Sequence, residues 1–315
     1  EPAWWVGVVI TLAAVAVLYV LSCCLLRPRS MPKALAKLRQ GQSELPAIFH
    51  SRYFQVPGQE PYWLFHHTWR PAGEPRGVVF ISHGLGEHIL RYCWIAEQLT
   101  ARGLLVLGLD HLGHGQSEGP RLPRFPRSTE VYSEHFLAFI DRRVVEEFGE
   151  AAGTIPRFIL GHSMGGCVAI AAARSPGRTW AGVVLSAPLL GTTAEEQAPK
   201  ALHPVLKAIV ACGATLAPTL PVIGPLPGTA LSSEELSWRK YKLDPLIFQG
   251  SPSFAVGDGT GRGIQANWDH AADFTAPVLI LHGDEDRIVP IGPTQRWFEA
   301  CGSSDKQFKM LPGAQ

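Results

Sequence analysis

Five short runs in this chain are almost wholly apolar: residues 77–82 (GVVFIS), 104–110 (LLVLGLD), 157–161 (RFILG), 181–186 (AGVVLS) and 277–283 (PVLILHG). Strands buried on both faces have this pattern, whereas half-exposed strands alternate. Between the runs, residues 88–102, 130–148 and 164–174 have helical spacing. The alternation predicts an α/β fold, a mostly parallel sheet with helices on both faces. Residues 52–56 and 62–69 read as strands joined across Pro57-Gly58, an antiparallel entry hairpin. Residues 307–311 (QFKML) read as a last strand. From 190 to 273 the alternation stops. An apolar, Pro-punctuated stretch (201–221), a polar one (232–242) and a Gly-rich one (257–263) follow each other there. They are read as an inserted cap at 191–273, dividing the core into 41–190 and 274–315. Functional groups in such sheets gather at the carboxyl ends of the strands.

Residues 4–26 carry no charge. As a helix they span about 35 Å, against a hydrocarbon core of about 30 Å. Their 12 Leu, Ile and Val residues favour insertion by about 4–7 kcal/mol. Trp4 and Trp5 suit one membrane interface, and Arg27, Arg29, Lys33, Lys37 and Arg39 follow the other end. The expectation is a single-pass anchor, with residues 1–40 as anchor and basic flank and the rest of the chain in the cytosol. A cleaved signal peptide would have a shorter apolar core and a small-residue cleavage site. A lipoprotein signal at Val20-Leu21-Ser22-Cys23 would want a basic region upstream.

The net charge of +1 lacks the basic surplus of a nucleic-acid binder. Cys23, Cys24, Cys93, Cys167, Cys212 and Cys301 make no CxxC pair and no zinc spacing, which fits a reducing compartment. Asn267, the only asparagine, lies in Asn-Trp-Asp, so no glycosylation sequon is present.

Gly-x-Ser-x-Gly occurs twice, at Gly161-His162-Ser163-Met164-Gly165 and at Gly115-Gln116-Ser117-Glu118-Gly119. A nucleophile elbow needs a buried strand before the serine and a helix directly after it. Ser163 follows Phe158-Ile159-Leu160 and precedes a small-residue run from Gly165 to Ala173. Ser117 is followed by Pro120 and Pro123, which a regular helix excludes. Ser163 is therefore the candidate nucleophile of an α/β-hydrolase fold, and Ser117 a loop residue. Attack on an ester carbonyl creates an oxyanion that needs prealigned N–H donors. The residue after the nucleophile, Met164, is one candidate donor. Leu85, in the loop His83-Gly84-Leu85-Gly86-Glu87-His88, is the other. His83 and His88 lack a third ligand at metal-binding spacing.

Chain order in this fold is Ser, acid, His. Asp286, in Asp284-Glu285-Asp286-Arg287 after the strand at 277–283, is the candidate acid, with Asp284 in reserve. No histidine occurs after His282. Either the catalytic His comes just after Gln315, or the domain is a catalytically dead relative that binds lipid at a membrane. The first is expected, because the chain stops without a closing helix; residues 1–315 alone should then hydrolyse little.

With these motifs in place, Ser82-His83-Gly84-Leu85-Gly86-Glu87-His88, Asp110-His111-Leu112-Gly113-His114-Gly115-Gln116-Ser117-Glu118-Gly119 and Gly161-His162-Ser163-Met164-Gly165-Gly166 resemble the monoacylglycerol lipase and lysophospholipase-like serine hydrolases. The likeness runs from about Ser51 to Gln315 and includes Tyr241-Lys242-Leu243-Asp244-Pro245-Leu246. It implies Ser163 and Asp286 as triad members, Leu85 and Met164 as the oxyanion hole, and a His directly after Gly313-Ala314-Gln315. It also implies Glu87, Arg91, His162 and Tyr241 at the polar end of the substrate, and no metal or cofactor. The expected reaction is cleavage of a monoacylglycerol or lysophospholipid ester through an acyl-enzyme. Other small esters or peptides remain open, because the fold does not fix the leaving group.

Overall fold

The computed structural model describes residues 51–57, 62–122, 124–222 and 234–314. The proposed anchor at 4–26 lies outside them. Among the described residues, no helix is long and apolar enough to cross a membrane.

One sheet organises the described chain. Its strands are β1 (Ser51–Gln55), β2 (Trp63–Trp69), β3 (Gly77–Ser82), β4 (Leu104–Leu109), β5 (Arg157–His162), β6 (Gly182–Ser186), β7 (Val278–Gly283) and β8 (Lys306–Leu311), in the order β1-β2-β4-β3-β5-β6-β7-β8. The entry hairpin β1/β2 is antiparallel and β2 runs antiparallel to β4. All later pairings are parallel.

The fully apolar strands are covered on both sides. Along β3, Val78 and Phe80 enter one cluster with Phe136, Phe139 and Ile140 of α2 (Glu130–Phe148). Val79 and Ile81 point the other way, to Ala96 of α1 (Cys93–Thr100), Ile89 and Val106. The period of two serves two cores. Helix α2 buries Tyr132, Phe136, Phe139, Ile140 and Val144, one stripe of a 3.6-residue period. Helix α3 (Met164–Ala173) is buried at every position, so it has no polar face to show a period. β8, at the sheet edge, alternates half-buried and exposed residues and carries Lys306 and Lys309. Charged residues there discourage pairing with another chain.

The helix expected at 88–102 is a 3-10 turn, Ile89–Tyr92, followed by α1. The Asp110 carboxylate accepts from the Ile89 N–H at 2.6 Å and fixes where the turn begins.

After β6 come α4 (Thr193–Gln197), α5 (His203–Leu216), α6 (Glu235–Leu243) and α7 (Phe254–Asp269). The Gly-rich stretch read as cap lies in the middle of α7, and this helix packs on core helix α3. The Asn267 side chain donates to the Cys167 carbonyl at 2.9 Å. Glycine normally weakens a helix interior. Here two glycines are required by contact: a Cβ on Gly259 would overlap Phe125 and Pro126, and one on Gly263 would overlap Thr129. The sequence shows these glycines, but what they touch lies more than 100 residues away. α8 (Ile291–Ala300) closes the core between β7 and β8.

Gly261 in the same helix meets nothing within 4 Å of an added Cβ. Gly261→Ala should therefore stabilise the protein by about 0.5–1 kcal/mol. Gly263→Ala gains the same propensity but should lose about 1–3 kcal/mol through overpacking against Thr129. Denaturant unfolding of the two variants checks this; equal shifts would refute the packing account.

Candidate active site

The chain leaves β3 for β4 on one side of the sheet and returns to β5 on the other. The ends of β3 and β5 thus flank the point where strand order reverses, the usual place for a ligand crevice. Register sets them level, with Ser82 opposite Gly161. Ser163 follows at the turn from β5 into α3, with φ 53° and ψ −121°. A non-glycine residue there costs about 1–3 kcal/mol and persists only where its surroundings over-determine it. They do. The Ser163 N–H donates to the Ser186 carbonyl at 3.0 Å, and its own carbonyl accepts from Gly166 and Leu189 at 2.9 Å each. A Cβ on Gly161 would lie 2.5 Å from the Gly165 carbonyl oxygen, and one on Gly165 would lie 2.5 Å from that of His83. Strand, turn and helix meet backbone to backbone.

The loop after β3 lies against this turn. A Cβ on Gly84 would be 3.4 Å from Ser163 Cβ and 3.3 Å from His162 Cδ2, so the loop that carries Leu85 passes the serine at Gly84. Met164 is the first residue of α3, where N–H groups have no intrahelical partner and the helix end is partially positive.

Buried imidazoles hold the loop. His83 Nε2 accepts from the His111 N–H at 2.9 Å, so its proton is on Nδ1, which donates to the Gly84 carbonyl at 2.8 Å. His111 Nε2 meets Ser82 Oγ at 2.9 Å. Burial, with neighbouring histidines, pushes His83 and His111 well below the ordinary value, and burial pushes His114 down to about 4. These rings are neutral. Asp110 is pushed up to about 6 by burial, against its bonds from Gln116 and Ile89. Ser117 is fully buried; its Oγ accepts from the Phe65 N–H at 2.9 Å and donates to the Asp110 carbonyl. It is a strut between β2 and the loop after β4.

On the far side, Asp286 follows β7. Its Oδ1 accepts from the Ile288 and Val289 N–H groups at 2.8 Å each, and Oδ2 lies 3.6 Å from Nε2 of buried His282. Asp284 is exposed and accepts from the Gly313 N–H at 2.7 Å. The Glu285 N–H donates to the Ala314 carbonyl at 3.0 Å. The turn after β8 is thereby fastened to the loop that carries Asp286.

The four residues expected at the polar end are brought together. Glu87 Oε1 lies 3.8 Å from His162 Nε2, and Arg91 Nε lies 4.0 Å from Glu87 Oε2. The Arg91 guanidinium stands 5.4 Å from the Tyr241 ring centroid. Sequence reasoning missed Tyr92, whose hydroxyl donates to Glu87 Oε2 at 3.1 Å. It also missed the link from loop to insertion. His88 Nε2 meets Asp244 Oδ2 at 2.7 Å, and the Phe248 N–H donates to the Gly86 carbonyl at 2.9 Å. Burial alone would raise Asp244, but the bond from His88, the Leu246 N–H and the charges of His88 and Arg91 outweigh it and hold the carboxyl low. No motif signals these pairs.

Residues 73–315 match the family described as "Serine aminopeptidase, S33". The chain is 36% identical over 255 residues to "Monoacylglycerol lipase" of Mycolicibacterium smegmatis, an alignment spanning 79% of this chain and 84% of the relative. It is 34% identical to "Monoglyceride lipase" of Homo sapiens, over 80% of this chain and 79% of the relative. Among solved structures, the monoacylglycerol lipase of Paleococcus ferrophilus superposes with a TM-score of 0.65 at 29% identity. That superposition covers 80% of this chain and 89% of the other.

The buried histidines fix a direction of pH dependence. Their folded pKa values lie below the unfolded value of about 6.5, so their contribution is intact above pH 6.5 and is lost as pH falls towards the folded values. For His114, displaced to about 4, that amounts to about 3 kcal/mol. Asp110, raised to about 6, has the opposite sign: its contribution is present at acid pH and lost as pH rises through about 6. Three imidazoles outweigh one carboxyl. The urea midpoint should therefore fall between pH 7 and pH 5, and equal midpoints would refute neutral burial of the histidines.

Proposed function

We infer the reaction from the premise that this chain belongs to the serine aminopeptidase S33 family of α/β-hydrolases: it is a serine hydrolase of monoacylglycerol esters. The observation that carries this reading is Ser163, held at positive φ between a buried strand and a buried small-residue helix. That geometry presents a hydroxyl at the top of the sheet.

In the reading proposed here, Ser163 Oγ attacks the ester carbonyl. A bond forms from Oγ to the carbonyl carbon, and the charge moves to the oxygen, where the Leu85 and Met164 N–H groups receive it. Loss of one such donor costs about 3–4 kcal/mol of barrier. Collapse breaks the bond to the alcohol oxygen, which takes the serine proton through the base and leaves as glycerol. Water then repeats the sequence on the acyl-enzyme and releases the fatty acid. Asp286, with one oxygen committed to two backbone N–H groups, keeps the other to orient the base. The resemblance implies, as the base, a histidine directly after Gly313-Ala314-Gln315. Support for that position comes from Gly313 and Ala314, which are hydrogen-bonded to the acid loop. Glu87, Arg91, His162 and Tyr241 face the alcohol end.

The acyl chain is assigned to the apolar side of the insertion. Helix α5 carries exposed Val205, Ile209 and Leu216, apolar surface that a lipid would cover. Residues 4–26 are proposed as a single-pass anchor that keeps this insertion near a bilayer, with the hydrolase in the cytosol. The uncharged span and its basic flank support that reading.

Ser163→Ala should lower both fluorophosphonate labelling and fatty-acid release from 1-oleoylglycerol by about 10⁴-fold or more in the protein whose chain supplies a His after Gln315. Ser117→Ala should lower the unfolding temperature and keep turnover per folded molecule. Labelling that survives Ser163→Ala would sink the assignment. Alkaline carbonate washing should leave the intact chain in membranes and release a form lacking residues 1–40; release of the intact chain would refute the anchor.

A further inference from the structure

Tyr92 has no part in the mechanism above, yet it is joined to Glu87, the carboxylate assigned to the alcohol side. Its hydroxyl donates to Glu87 Oε2 at 3.1 Å. Burial and the Glu87 charge push the phenol well above its ordinary value. Arg91 approaches Oε2 as well, at 4.0 Å, but its guanidinium is drawn to the Tyr241 ring. The other oxygen, Oε1, faces His162 Nε2 at 3.8 Å, beyond hydrogen-bond length. Glu87 Cδ and Ser163 Cβ each lie 3.4 Å from the point where a Cβ on Gly84 would sit. A carboxylate oxygen with spare acceptor capacity therefore stands on the same loop that lies against the nucleophile.

Resting on the ester-hydrolase reading, we propose that Tyr92 is a positioning residue for the leaving alcohol. Its hydroxyl commits one Glu87 oxygen to the protein and presents the other to a free hydroxyl of the substrate's glyceryl group. The tyrosine also keeps Glu87 from turning both oxygens to Arg91. A two-pronged Arg–carboxylate pair is the stronger arrangement and would occupy the acceptor. The turn that carries Tyr92 is pinned at its start by Asp110, through the 2.6 Å bond to the Ile89 N–H, so the hydroxyl has a fixed origin. Nothing in this arrangement senses the acyl chain. Its effect belongs to alcohols that retain a hydroxyl.

Binding of two non-hydrolysable ethers separates the roles and needs no turnover. Titrated calorimetrically, the wild-type protein should bind decyl glyceryl ether more tightly than decyl methyl ether. Tyr92→Phe should lose about tenfold in affinity for the glyceryl ether, the size of one hydrogen bond to a charged group, and leave the methyl ether unchanged. Glu87→Gln should erase the same preference, and the double variant should be no worse than the weaker single one. A Tyr92→Phe protein that keeps the full preference overturns the proposal. So does one that weakens for both ethers alike, since that is a packing effect. A wild-type protein that binds neither ether removes the monoacylglycerol reading itself, a result distinct from either of these.

Discussion

The close approach of three backbones at the carboxyl ends of β3 and β5 is the constraint from which the rest of the site follows. A Cβ at Gly161, Gly165 or Gly166 would collide with a carbonyl or with Pro188. That packing holds Ser163 at positive φ, starts a helix under its carbonyl, and sets the loop of Gly84 and Leu85 beside its side chain. The strain of one residue is offset by contacts from β3, β6 and the segment at 187–189. Neither strand nor helix can shift without losing them.

The support beneath this point is polar, built from neutral imidazoles and one buried carboxyl. The His83 ring accepts from the His111 backbone and donates to the Gly84 carbonyl, the His111 ring meets the Ser82 hydroxyl, and Asp110 accepts two backbone N–H groups from separate segments. A buried charge would be costly without a partner, whereas a neutral imidazole can both donate and accept with fixed direction. The loop that would receive an oxyanion is thus built on a scaffold whose geometry depends on keeping protons in place. The histidine motifs, which look like ligands in a sequence, act here as framework.

The insertion is tied into the same loop rather than merely covering it. His88 reaches Asp244, Gly86 accepts from Phe248, and Arg91 stacks on Tyr241. Residues proposed to recognise the alcohol therefore come from both core and insertion, and any movement of α6 would be felt at Glu87. A polar contact this sheltered fixes position. The loop after β3 and the segment around Asp244 are thereby joined mechanically.

The apolar runs, the two-sided sheet, the extent of α2 and the placing of Ser163 at a strand-to-helix turn and Ser117 in a loop were legible in the chain. They depend on local periodicity and on which residues can follow a strand or begin a helix. The loop carrying Asp284 and Asp286 was legible because it follows a strand, although only the structure shows Asp284 engaged with Gly313 while Asp286 is held by its own turn. Other features were decided by tertiary structure alone. The Gly-rich stretch became a helix on the core because Phe125 and Thr129 lie against it. Tyr92 joined the site because a 3-10 turn replaced the expected helix start. His88 found Asp244 across 156 residues. Periodicity reports which side of an element faces the core, but which side chains meet across elements is set by strand register and helix packing.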